Sequence, residues 1–127
     1  MSTLKLDTIA SRDGTESTDV TNVINGSAKA WVNFNGDNVA DIRGSFNISS
    51  VTDIAVGRYE VNFTVAFEDT NYACIGTCNY NTSGGGTNNY NRMVVSNPAT
   101  TSKAYFNTFT TGSALDDVDV NQAAFFR

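Results

Sequence analysis

The chain has 127 residues, enough for one domain that buries roughly two-thirds of its unfolded surface. A net charge of −5, eight scattered basic residues and no histidine exclude a phosphate-tracking nucleic-acid interface and the histidine-dependent nucleophilic triads. Only 17% of residues are charged, while 16 Asn and 16 Thr make up about a quarter of the chain, a bias toward pleated strands and tight turns that points to an all-β fold.

Residues 1–26 read as an extended attachment segment ahead of a domain at 27–127. Leu4, Leu6 and Ile9 form a short apolar patch, and Ser11 to Thr18 are polar. Val20, Val23 and Ile24 follow before Asn25-Gly26 turns the chain. So few apolar anchors cannot build a core. The segment therefore lies across the main domain or is captured by a neighbour. The start Met1-Ser2-Thr3-Leu4-Lys5 lacks the apolar stretch of a secretory leader, and no run approaches the ~20 apolar residues of a membrane span.

From Ala28 the pattern is strand after strand. Ala28, Ala30, Val32 and Phe34 face one way and Lys29, Trp31 and Asn33 the other, closed by the hairpin cue Asn35-Gly36. A second strand is expected over Ser45–Val51, with Asp53 to Gly57 as a connection. Arg58–Phe67 alternates most clearly, with Tyr59, Val61, Phe63, Val65 and Phe67 on one side. Tyr72–Tyr80, Met93–Ser96, Lys103–Thr110 and Leu115–Arg127 complete the set, the last with Val118, Val120, Gln122, Ala124 and Phe126 on one register. Six or seven strands separated by turns predict an antiparallel β-sandwich or small jelly-roll-like domain.

Between Asn81 and Asn89 the chain is too polar and Gly-rich to pack, which makes it a surface loop. Tyr80 and Tyr90 bracket it, so rigid rings stand beside adaptable Asn and Ser side chains. Trp31 either stacks on a sugar ring or buries against a neighbouring strand or subunit, and burial is the favoured reading. Cys74 and Cys78 would lie ~13 Å apart on a straight strand, beyond disulfide reach; a turn at Gly76 is the one route to a bridge. A glycosidase pair among Asp37, Asp41, Asp53, Glu60, Glu68 and Asp69 cannot be marked from spacing, and solvated turns are the simpler reading. Asp116-Asp117-Val118-Asp119 lacks the spaced oxygens and Gly of a calcium loop and reads as solvated acids leading into a strand. Neither a cofactor nor a metal is expected.

The run Ala28-Lys29-Ala30-Trp31-Val32-Asn33-Phe34-Asn35-Gly36, followed by Ile42-Arg43-Gly44-Ser45-Phe46-Asn47-Ile48-Ser49, resembles a domain of bacteriophage tail-fibre-like proteins. Gly57 to Thr64, Phe67 to Tyr72 and the close from Asp119 to Phe126 are similar to the same family, and Ser2 to Ile9 resembles the start of many such fibres. The resemblance implies a non-enzymatic virion structural protein, made in a host cytoplasm, homotrimeric and bound to other virion proteins. Leu4, Leu6 and Ile9 become the virion-docking candidates. Tyr80, Asn81, Asn88, Asn89 and Tyr90 become the candidates for contact with a host-surface saccharide. Fibres usually place a long shaft between opening segment and terminal domain, and here the two nearly abut. A short tail appendage or tail tip fits that better than a reaching fibre, with a capsid decoration protein as the alternative.

Overall fold

Alternation over Ala28–Phe34 dictates a strand with every second side chain turned inward. Ala30, Val32 and Phe34 are indeed buried in the computed structural model, which describes residues 2–37, 40–79, 92–96, 100–109 and 113–127. Among the described residues eight strands form the body. One sheet runs in the order β4 (Asp41–Phe46), β3 (Ala28–Asn35), β10 (Val120–Phe126), β7 (Ala73–Asn79). The other runs β5 (Ile48–Ala55), β6 (Arg58–Phe63), β9 (Lys103–Phe109), β8 (Arg92–Ser96). Every pairing is antiparallel, and the two inner faces close on each other as a sandwich.

The inner layer alternates as a strand must. Ala30, Val32, Phe34, Ala123 and Phe125 meet Tyr59, Val61, Phe63, Ala104 and Phe106. Phe125 is the hub: its ring lies 4.9 Å from Phe63, 5.9 Å from Phe106 and 6.0 Å from Tyr72, in each case edge to face. Edge-to-face pairs add about 0.5–1.5 kcal/mol each beyond the area they bury, so this cluster ties the sheets together.

Several sequence expectations need correction. The strand expected over Ser45–Val51 is two strands in different sheets, joined at Asn47 in the left-handed region (φ 57°). Asn tolerates that conformation, and its side chain makes the corner permanent. Asn47 Nδ2 donates to the Lys29 and Val65 carbonyls, each at 3.1 Å, and Oδ1 accepts from Val65 N at 2.8 Å. The same contacts end β6 at Phe63, so Val65 is 66% exposed rather than inward, and Phe67 re-enters the core by stacking on Tyr72 at 4.7 Å.

Asp53 and Ala55 belong to β5, not to a connection. The turn is Val56-Gly57, between the paired residues Ala55 and Arg58, with Gly57 at φ 64°. Asn35-Gly36 does lead into the β3–β4 hairpin, but Gly36 is itself buried beneath the Tyr59 hydroxyl, and the strands re-pair only at Asp41. In β10 the inward set is Asn121, Ala123 and Phe125, so Val120, Gln122, Ala124 and Phe126 take the outer side.

Residues before Ala28 form an arm rather than a plain extended segment. A hairpin pairs β1 (Thr8–Ala10) with β2 (Ser17–Asp19), and α1 (Val20–Gly26) leads to the sandwich. None of the residues of α1 is buried, and β1 and β2 are exposed throughout. Lys29 Nζ donates to the Ile24 carbonyl and Ser27 N to Val23 O, fixing the junction. The arm therefore does not lie across its own domain.

Candidate functional site

Strand register decides what each sheet presents to solvent. On the outer side of the β4-β3-β10-β7 sheet, one row across the strands is Phe46, Trp31, Ala124, Ile75, and the next is Gly44, Asn33, Gln122, Thr77. Neither row holds a charged side chain. Phe46 is 54% exposed, Trp31 43% and Ile75 67%. Trp31 is thus not covered by a neighbouring strand of its own chain, because its neighbours on the outer row offer no depth. Its indole instead lies over Gly44, where an added Cβ would sit 3.5 Å from the ring. Between the indole and β7 runs a shallow groove of about 400 Å³, lined by Trp31, Asn33, Ile75, Thr77, Gln122 and Ala124 among others. Asn33 Oδ1 in this wall is buried without a hydrogen-bond partner among the described residues.

The opposite outer face has another character. Lys103 Nζ sits 3.0 Å from Glu60 and 5.9 Å from the Tyr105 ring centroid, and the Arg92 guanidinium lies 4.9 Å from that of Phe109. The hydrogen bond from Lys103 is the main reason the Glu60 carboxyl is held below its ordinary range. A charged, self-paired sheet face is content in water. An uncharged aromatic one is the kind of patch that proteins use for contact.

At the pole beyond Gly36 a polar latch joins the two sheets. The Tyr59 hydroxyl lies 2.9 Å from Asp117 Oδ1 and 3.0 Å from the Gly36 carbonyl, and Gly57 N donates to the same Asp117 oxygen at 2.6 Å. Thr108 Oγ1 donates to the Asp116 carbonyl at 2.6 Å, and Asn121 Nδ2 to the Val118 carbonyl at 2.7 Å. Residues 116–119 are therefore half-buried or buried tie points, not solvated acids leading into a strand. Burial chiefly, and the Asp117 hydrogen bond next, push the Tyr59 phenol well above its ordinary value, so it stays a donor. Burial first and the Asp117 charge second raise the Asp53 carboxyl. Among the described residues no three His, Cys, Asp or Glu side chains are grouped to hold a metal ion.

Cys74 and Cys78 are free on the regular strand β7, paired opposite Phe125 and Asn121. No turn at Gly76 brings them together. Burial pushes the Cys74 thiol up to about 12 and that of Cys78 up to about 11, so neither is an activated nucleophile. Of the other carboxylates, Asp69 pairs with Arg127 at 2.6 Å and Glu60 with Lys103.

The sequence-derived docking residues Leu4, Leu6 and Ile9 all lie on the arm and are 80%, 48% and 44% exposed. Tyr80, Asn81, Asn88, Asn89 and Tyr90 lie outside the described residues. The strand ends that flank them are described: Asn79 pairs with Val120 and Arg92 with Phe109, at the Gly36–Gly57 pole. The arm leaves from the other pole, where Ala28 pairs with Phe126 and Phe126 with Ala73. The outer face around Trp31 was missed because only strand register reveals it; a Trp two residues from an Asn, on a strand lacking outward charge beyond Lys29, was its one trace in sequence.

Comparison of the chain with family models, with curated proteins and with solved structures gives no match. None of its described helices is long and apolar enough to cross a membrane.

Proposed function

We propose that this chain is a non-enzymatic structural protein of a bacteriophage virion, of the tail-fibre or tail-tip type, which displays loops for recognition of a host surface. The resemblance at Ala28–Gly36 and its continuation motivates the virion assignment. The observation that carries the division of labour is the polarity of the molecule. Its exposed apolar arm departs from one pole, and the strands flanking residues 80–91 end at the other. A protein that attaches by one end and reads a surface by the other needs this arrangement. In this reading Leu4, Leu6 and Ile9 attach, and Tyr80, Asn81, Asn88, Asn89 and Tyr90 meet a host saccharide. The molecule works as a trimer alongside other virion proteins.

The test is electron microscopy of purified particles labelled with antibody against the sandwich. Label at the tail end supports the proposal. Label over the whole head assigns the chain to capsid decoration instead, and unlabelled particles reject a virion role.

A further inference from the structure

We propose that the arm of one copy of this chain docks on the uncharged sheet face of a second copy, its apolar side chains closing over Trp31. The inference does not depend on a virion role, and it gives Leu4, Leu6 and Ile9 a sister copy as their partner in place of another virion protein.

The arm cannot hold itself. Its strands are three residues long and its helix seven, without a buried residue in any of them. Hairpins and helices this short are marginal in water unless a surface supports them. The arm's Leu4, Leu6, Ile9, Val23 and Ile24 are all 40% exposed or more. Over the extended start, Leu4 and Leu6 alternate with Lys5 and Asp7, giving one apolar and one charged side. That is the pattern of a segment made to lie on something.

The same chain supplies the surface. Phe46, Trp31 and Ile75 stand exposed in a row without charge, beside a groove of about 400 Å³. The arm leaves this face of its own chain uncovered, so the occupant comes from elsewhere. A second copy satisfies both needs at once, because every copy carries one arm and one vacant face. Charge is compatible: copies of net charge −5 repel least where the contact rows, Phe46-Trp31-Ala124-Ile75 and Gly44-Asn33-Gln122-Thr77, bear none. An arm-to-face contact is head-to-tail, and repeated by rotation it closes a ring.

Trp31 is the single tryptophan, so its fluorescence reports this face alone. Sedimentation velocity and emission spectra of the full chain over a dilution series provide the test. Association at high concentration should come with a blue shift of Trp31 emission that reverts on dilution. An arm variant (Leu4→Asp, Leu6→Asp, Ile9→Asp) and a face variant (Ile75→Asp) should each lose association, by a factor of ten or more, while keeping the parent circular dichroism. The decisive step is mixing the two. The intact arm of the face variant should dock on the intact face of the arm variant, restoring a one-to-one complex and the blue shift. The proposal is overturned if the parent is monomeric throughout or the arm variant associates like the parent. It is also overturned if the mixture stays monomeric, or if the shift is present in a monomer at every dilution.

Discussion

Replacing Tyr59 by Phe removes one oxygen atom and keeps the ring, which packs edge to face on Phe34 at 5.1 Å. The hydroxyl has a single proton and two acceptors within reach, Asp117 Oδ1 and the carbonyl of buried Gly36. Losing a hydrogen bond to a charged group costs about 1.5–3 kcal/mol, and a buried acceptor left without a partner costs about 1–3 kcal/mol. Asp117 keeps its bond from Gly57 N, so the two costs overlap, and about 2–3 kcal/mol is expected. With an unfolding entropy of about 2.1 cal/mol/K per residue, a chain of 127 residues should lose roughly 7–11 °C in Tm. Thermal melts by circular dichroism at pH 7 measure this. Asp117→Asn combined with Tyr59→Phe should show a coupling of about 1 kcal/mol or more. A drop in Tm below about 2 °C, or strictly additive single changes, would refute the latch as the link between the sheets.

Asn47→Gly should cost about 1–2 kcal/mol in urea unfolding, because the left-handed backbone survives and the side-chain bonds do not. Asn47→Ala should cost about 1 kcal/mol more through the positive φ; equal losses would deny a backbone role. The hydrogen bond from Arg127, ahead of that from Asn71 N, holds the Asp69 carboxyl below its ordinary 3.8. Its stabilisation is therefore complete above pH 3.8 and fades as pH falls through the lower folded-state value. Carboxyl titration by NMR should show a midpoint below 3.8 that Arg127→Gln moves back up. Burial that raises both thiols predicts slow alkylation of Cys74 and Cys78 in native protein at pH 7 and fast alkylation in urea; equal rates would contradict their packing.

Alternation made β3, β6 and β9 legible, because each places apolar or aromatic residues on one side over six or more positions. It failed at Asn47, since a corner is one residue of backbone and leaves no period. In β10 it marked one register but not which side that register takes, because both registers carry a Phe and the inward one holds Asn121. That polar side chain tolerates burial by donating to the Val118 carbonyl. The uncharged face was hidden for a related reason. Trp31 gains Phe46, Ala124 and Ile75 as row-mates only through pairing between strands far apart in sequence. The latch at Asp117 was equally invisible, being made across 58 residues of chain.

The placement of β10 has a consequence for how the protein comes off the ribosome. Sheet neighbours β5, β6, β8 and β9 all lie between residues 48 and 109 and can pair as they emerge. In the other sheet β3 pairs early with β4, but β3 and β7 are joined only when β10 is synthesised and enters between them, for Phe34 and Cys78 both pair with Asn121. One sheet can thus assemble early, while the other stays a β3–β4 hairpin and a separate β7 until β10 inserts between them. Such distant pairing slows folding and leaves the unfilled edges of β3 and β7 open to a neighbouring nascent chain in the interval.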